Sequence, residues 1–188
     1  TMLVLYDHET NETSDIAVNE YLYGVLAGEI PNDWPEESLK AQAIIARTFM
    51  LYFISQNKGD DEEKEVEYHV STDEKEAQAY DVELINDSIK KAVDDTAGQV
   101  LLHDNEFING WFHACAGGKT ALATVGLNFA GEDPPYIHVV EVDEDKAPDE
   151  AKTWNGEFML EDVEEALTTM GHEPGDIKDV KMGEMGES

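Results

Sequence analysis

The chain has 188 residues, 43 of them acidic and 12 basic, for a formal charge of −31 at pH 7. Hydrophobic residues make up 41% of it, enough to build a core, which excludes a wholly disordered chain. A surface this acidic repels a phosphate backbone, so nucleic-acid binding through general electrostatics is excluded, as is adsorption to an anionic membrane.

A single cysteine, Cys115, excludes an internal disulfide framework and a four-cysteine zinc site. There is no apolar run of membrane-spanning length and no secretory leader pattern. The chain opens directly on strand-like sequence, and a strand-like alternation over residues 177–182 is followed by an abrupt end. We therefore expect further sequence beyond one or both ends.

In chain order, residues 3–6 are apolar and β-prone, and residues 8–14 form a polar turn. Residues 19–28 predict a short helix, with Leu22, Val25 and Leu26 on one face and Pro31 blocking its extension. Asp33-Trp34-Pro35-Glu36 predicts the start of a second helix, with Asp33 as N-cap. Leu39, Ala43, Ala46, Met50 and Phe53 follow at helical spacing. Ile45, Phe49 and Tyr52 widen the apolar face, so this helix should pack on more than one side before ending near residues 56–59.

Residues 57–76 hold nine acidic residues and three lysines and read as a solvated excursion, with a possible strand over 66–70. A third helix is expected over residues 84–97, stopped by Gly98. Residues 100–102 and 107–108, around Asp104-Asn105, predict a hairpin whose second strand runs on through Trp111-Phe112-His113. A further strand is expected over 136–142 and a helix over 158–170. Helices and short strands without strict βαβ alternation make the fold class α+β, read as a single domain over residues 1–188 with a helical core.

Glu29 stands in Gly28-Glu29-Ile30-Pro31, at the junction of two apolar helices. A carboxyl group there is partly desolvated and holds its proton toward neutral pH, as a general acid must; it could equally be a plain surface helix end. Arg47 is the sole arginine and lies inside the second helix. Its planar fork suits a carboxylate or an oxygen-rich ligand, either as a structural ion pair or in binding.

His113 and Cys115, two apart on an extended segment, admit a cysteine–histidine nucleophile, although a lone cysteine more commonly acts as a small buried hydrophobe. With His69 they match no closed zinc pattern. Gly117 and Gly118 would let backbone approach a ligand, or would simply turn the chain. His8, His103, His138 and His172 read as surface or local structure. The acidic runs at residues 60–63 and 141–145 lack the spacing of a calcium loop.

Several blocks together resemble one known family. Residues 19–31, ending in Gly28-Glu29-Ile30-Pro31, are followed by Trp34-Pro35-Glu36-Glu37-Ser38-Leu39-Lys40-Ala41-Gln42-Ala43 and by Ala46-Arg47-Thr48. Next come Ser71-Thr72-Asp73 with Gln78-Ala79-Tyr80, Thr96-Ala97-Gly98-Gln99-Val100-Leu101, and His113 through Gly117-Gly118-Lys119-Thr120. Pro135-Tyr136 and Trp154 follow in order. Over residues 3–182 this pattern is similar to the stage II sporulation protein D family.

The resemblance implies a peptidoglycan lytic transglycosylase acting on glycan strands stripped of stem peptides during engulfment, with 1,6-anhydro products. It places the catalytic glutamate at Glu29 and substrate contacts at Gln42, Arg47, Gln78, Tyr80, His113, Gly117, Gly118 and Thr120. It implies an extracytoplasmic location, glycan strands and other cell-wall hydrolases as partners, and a membrane link only through an N-terminal anchor that this chain lacks. Some members carry a cysteine before the Gln-x-Tyr element, where this chain has Ala77, so neither a metal nor a cofactor is implied here. A two-carboxylate hydrolase and a non-catalytic wall-binding or amidase-modifying module are the alternatives.

Overall fold

The computed structural model describes residues 1–56, 68–145, 147, 149, 153, 156–173, 175 and 177–178. They gather into two compact units, residues 1–112 and 113–188. Helices and strands are mixed without βαβ alternation, giving the expected α+β class.

The first unit opens with strands β1 (Met2–Asp7) and β2 (Glu12–Ala17), an antiparallel hairpin in which Leu5 faces Ser14. The sheet order is β2-β1-β3, with the short β3 (Val70–Ser71) parallel to β1. Leu3 and Leu5, two apart on β1, turn to the same buried face, as strand geometry requires.

Two helices follow, α1 (Val18–Glu29) and α2 (Glu36–Gln56), and later α3 (Asp87–Asp95). The core joins Leu3, Leu5 and Val70 to Leu22, Val25 and Leu26 of α1, Leu39, Ala43, Ala46 and Met50 of α2, and Ile89 and Val93 of α3. The α2 residues in that set fall at the spacing read from the sequence. Its second side is also covered: a Cβ on Gly110 would lie 3.3 Å from Ile45 Cγ2, so the chain leaving the β4 (Leu102–His103) and β5 (Glu106–Phe107) hairpin rests on α2. Thr48 Oγ accepts the Leu101 N–H at 2.9 Å and fixes the entry to that hairpin.

Several boundaries differ from expectation. The Pro35 carbonyl accepts the first helical N–H groups of α2, from Ser38 at 2.9 Å and Leu39 at 3.1 Å. Pro35 thus stands at the cap and Asp33 in the turn before it. Helix α3 begins at Asp87, not residue 84, because the Asn86 side chain accepts the Ile89 N–H at 2.9 Å and caps it. The hairpin's second strand ends at Phe107, and a tight turn, with Trp111 N–H on the Asn109 carbonyl at 3.0 Å, stops it from running through His113.

In the second unit, α4 (Ala123–Gly126) and α5 (Leu160–Thr169) are the described helices. Residues 136–142 do not form the expected strand. They make only a bridge, Lys119 with Glu141, flanked by Thr120 N–H on the Val140 carbonyl and Val142 N–H on the Gly118 carbonyl. Helix α5 is two residues shorter at its start than expected because Met159 is extended there. The possible strand over 66–70 is described only at Val70, and most of the acidic excursion, Trp154 and residues 179–182 fall outside the described residues. No described helix is long and apolar enough to cross a membrane.

Candidate active site around Glu29

Proline at 31 disfavours helical geometry at residue 30, and Ile30 is extended, with φ −139° and ψ 140°. Helix α1 therefore stops with Glu29 as its last residue. The carbonyl-rich end of a helix carries partial negative charge, a setting that disfavours a carboxylate.

The segment facing Glu29 arrives from β3. Asp73 organises a turn there, its side chain accepting the Lys75 N–H at 2.9 Å and its carbonyl accepting the Ala77 N–H at 2.9 Å. The chain then enters the core at Gln78, which is 4% exposed, and lies along α1. Gly24 and Gly28, four apart, share one face of that helix. A Cβ on Gly24 would overlap the Tyr80 ring, and one on Gly28 would lie 2.9 Å from the Ala79 carbonyl carbon. Two glycines thus let residues 79–81 lie directly on the helix. Asp81 N–H donates to the Gly24 carbonyl at 3.0 Å, and the Tyr80 ring stacks on Tyr21 with centroids 5.6 Å apart.

This close seat delivers the Ala79 N–H to Glu29 Oε1 at 2.9 Å. Burial pushes the Glu29 carboxyl above its ordinary range, and the charge of Glu74 adds to the rise. The Ala79 N–H pulls the other way without reversing the direction. Next to the pair is a cavity of about 510 Å³, lined by Gly28, Ala79, Tyr80, Thr72, Glu74 and His8 among others. A half-buried carboxyl, one oxygen fixed and the proton favoured, beside an open cavity is suited to general acid catalysis.

The other residues expected at the site divide by location. Gln78, next to Glu29's partner Ala79 in the chain, is buried, and neither of its amide atoms has a hydrogen-bond partner among the described residues; the same is true of Gln42 Nε2 on α2. Buried amides ordinarily find partners, so these are the polar groups with capacity to spare.

Arg47 is placed elsewhere. It is 3% exposed, with Nη2 donating to the Val93 carbonyl at 3.0 Å and Nη1 to the Gln99 carbonyl at 3.1 Å. The guanidinium answers orphan carbonyls at the end of α3 and clamps that helix to α2. Its partners are backbone oxygens and the Thr96 hydroxyl in place of a carboxylate, and it does not line the cavity beside Glu29.

His113, Gly117, Gly118 and Thr120 belong to the second unit. His113 is exposed. Gly117 and Gly118 have φ of 72° and 92°, which turns successive N–H groups inward. They are met by Glu144, whose carboxylate accepts the Gly118 N–H at 2.7 Å and also the Ala116 N–H. Those bonds hold the Glu144 carboxyl below its usual range, and the Cys115 thiol joins them. The cysteine thus serves this loop. Thr120 Oγ1 donates to the His138 carbonyl at 3.1 Å and accepts the Val140 N–H at 2.8 Å. Among the described residues no three His, Cys, Asp or Glu side chains gather as a metal cage.

Sequence reading missed the glycine pair that seats residues 79–81, although its signal was present as glycines four apart on a helix. It also did not place His8, Thr72 and Glu74 on one cavity wall: Thr72 stands in the Ser71-Thr72-Asp73 block, but no local pattern brings the three together.

A family model described as "Stage II sporulation protein" (SpoIID) matches residues 6–103, which include Glu29, Gln42, Arg47, Gln78 and Tyr80. The chain is 31% identical over 139 residues to an uncharacterised protein of Brachyspira hyodysenteriae, covering 72% of this chain and 35% of that one. It is 30% identical over 151 residues to stage II sporulation protein D of Bacillus amyloliquefaciens and of Bacillus subtilis, covering 76% of this chain and 43% of each relative. The chain thus spans less than half the length of the curated relatives it matches.

Proposed function

The chain belongs to the SpoIID family of stage II sporulation proteins, and on that premise we propose that it is a peptidoglycan lytic transglycosylase with Glu29 as its single acid and base. The family and the names of the Bacillus relatives support a sporulation-related role. Under this reading the protein works outside the cytoplasm on glycan strands, those stripped of stem peptides foremost, alongside other cell-wall hydrolases.

The observation that carries the reading is the hydrogen bond from Ala79 N–H to Glu29 Oε1, made on a half-buried carboxyl whose proton affinity is raised. With Oε1 held, the protonated carboxyl presents its O–H to the glycosidic oxygen between N-acetylmuramic acid and N-acetylglucosamine. The proton passes to that oxygen as the bond breaks and an oxocarbenium-like centre develops. The carboxylate left behind takes the proton of the sugar's own C6 hydroxyl, whose oxygen closes onto the anomeric carbon. Glu29 ends protonated, and the product is a 1,6-anhydro sugar. The nucleophile is already attached to the substrate, so no second carboxylate is needed to activate water.

Hydrolysis is the second reading, because Glu74 brings a carboxylate to the cavity lined by Gly28 and Ala79, the chain neighbour and the hydrogen-bond donor of Glu29. Mass spectrometry of products from peptide-free glycan separates the two. We expect 1,6-anhydro-muramic ends from the parent protein and none from Glu29→Gln. Reducing muramic ends select the hydrolase, and glycan binding without cleavage selects a wall-binding module. Undiminished cleavage by Glu29→Gln overturns the assignment of Glu29.

A further inference from the structure

We propose that His8 is a sugar-binding residue, donating from Nε2 to an oxygen of the glycan held in the cavity beside Glu29. The proposal rests on the reading of that cavity as a glycan site.

His8 stands on a turn with little freedom. Asp7 Oδ1 accepts the N–H groups of Glu9 at 2.9 Å and Thr10 at 3.2 Å, and the Asp7 carbonyl accepts the Asn11 N–H at 2.8 Å. Asn11 takes φ of 58°, which asparagine tolerates, and its side chain accepts the Tyr6 hydroxyl at 2.8 Å. The turn therefore fixes where the His8 backbone sits.

The ring is fixed as well. Thr72 Oγ1 accepts the His8 backbone N–H at 3.2 Å and lies 2.9 Å from His8 Nδ1. Thr72 is itself anchored, its N–H donating to the Tyr6 carbonyl at 3.0 Å. The Thr72 hydroxyl can donate its proton to Nδ1 or accept the Nδ1–H, and in either case the contact holds the ring in place. With Nδ1 engaged by Thr72, Nε2 is the ring nitrogen left for a ligand, and it carries the hydrogen when Thr72 is the donor.

The cavity wall shows why such a donor matters. His8 and Thr72 line the same space as Gly28 and Ala79, the residues that flank Glu29 and its hydrogen bond. Asp73, Glu74 and Asp81 are on that wall too, where a carboxylate accepts, and the exposed Lys75 brings a donor on a long, rotatable side chain. A sugar ring offers hydroxyl protons, which those acids satisfy, and hydroxyl and acetamido oxygens, which they do not. His8, unlike Lys75, is held in place by Thr72 and supplies a fixed donor for the latter, and Tyr80 and Leu84 give the ring apolar surface. The occupant this wall suits is an N-acetylated sugar.

The test is made in the Glu29→Gln background, where binding can be read without turnover. Titrating it calorimetrically with a peptide-free glycan tetrasaccharide, we expect His8→Ala to weaken binding roughly threefold to tenfold, the worth of one hydrogen bond. His8→Gln, which restores an N–H near the Nε2 position, should recover most of the loss. In the protein with Glu29 intact, His8→Ala should raise KM by the same factor and leave kcat nearly unchanged. His8 is an exposed turn residue, so all variants should unfold at the parent's temperature. Unchanged affinity in His8→Ala, or a His8→Gln variant no better than alanine, overturns the role of His8 and leaves Glu29 untouched. Failure of the Glu29→Gln parent to bind the tetrasaccharide, with no cleavage by the unsubstituted protein, overturns the glycan site and His8 with it.

Discussion

A Cβ placed on Gly28 would lie 2.9 Å from the backbone nitrogen of Tyr80, closer than real side chains approach backbone. Helix α1 and the segment after Gln78 therefore meet backbone to backbone, one residue from Glu29 on one side and one residue from its Ala79 donor on the other. The distance that matters chemically, Ala79 N to Glu29 Oε1, is set by the absence of a side chain at Gly28.

Gly28→Ala should consequently separate stability from activity. Alanine is favoured over glycine in a helix by about 1 kcal/mol, and forcing an extra methyl against backbone costs about 1–3 kcal/mol. These oppose each other, so the urea midpoint should move only modestly and downward. The neighbour that must give way is the Ala79–Tyr80 backbone, so the acid loses its alignment, and cleavage should fall by roughly 10- to 100-fold. Initial rates on peptide-free glycan beside urea unfolding curves check this. Full activity with unchanged stability would mean that the close approach does not position Glu29.

Arg47 predicts the opposite pattern. Its guanidinium is buried on the Val93 and Gln99 carbonyls and joins α2 to the end of α3. Arg47→Ala removes charge-assisted bonds and leaves the Gln99 carbonyl without its guanidinium partner and the Val93 carbonyl with only the Thr96 hydroxyl, a loss on the order of 3 kcal/mol. Arg47→Lys keeps the charge but not the fork and should recover only part of it. Both should lower the unfolding midpoint, while the KM of whatever protein remains folded stays near the parent value. A large KM effect without a stability effect would put Arg47 back in the substrate groove.

How far the sequence discloses the site follows from which signals are local. The core face of α2 was legible because Leu39, Ala43, Ala46 and Met50 repeat at the helical period, and α1's end was legible because proline dictates it. The position of Glu29 at a helix junction follows from the same two facts. The cap of α3 was also readable, since Asn86 precedes the helix, although the expected start at residue 84 lies ahead of it. The partner of Glu29 was not readable, because Ala79 contributes only a backbone N–H and lies 50 residues away. His8 shows the same limit: its tie to Thr72 spans 64 residues, and a histidine on a polar turn carries no mark of it. In the second unit the expected 136–142 strand fails for a related reason. Alternation supplied a strand pattern, but only the short stretch facing residues 118–120 has a neighbour to pair with.

The raised proton affinity of Glu29 carries a signed consequence for both rate and stability. The first chemical step needs the protonated acid, so the alkaline limb of kcat should lie above the ordinary carboxylate range. Glu74→Gln removes a charge that helps hold the proton on Glu29, so it should move that limb toward lower pH. Glu74 is exposed, and molar salt should erase most of this difference. For stability, a group whose folded-state affinity for protons exceeds its unfolded one contributes fully below the unfolded value. That contribution is lost as pH rises through the folded value. The chain has 43 acids, so absolute stability against pH reflects many groups, and the informative quantity is the difference between Glu29→Gln and the parent. Glutamine keeps an oxygen for the Ala79 N–H and cannot ionise. The difference should be constant in acid, move in favour of Glu29→Gln as pH rises from the unfolded carboxyl's value through the parent's raised one, and be constant again above it. Urea midpoints for both proteins across pH 3–8 measure it; parallel curves throughout would show that the Glu29 carboxyl titrates as it does in the unfolded chain.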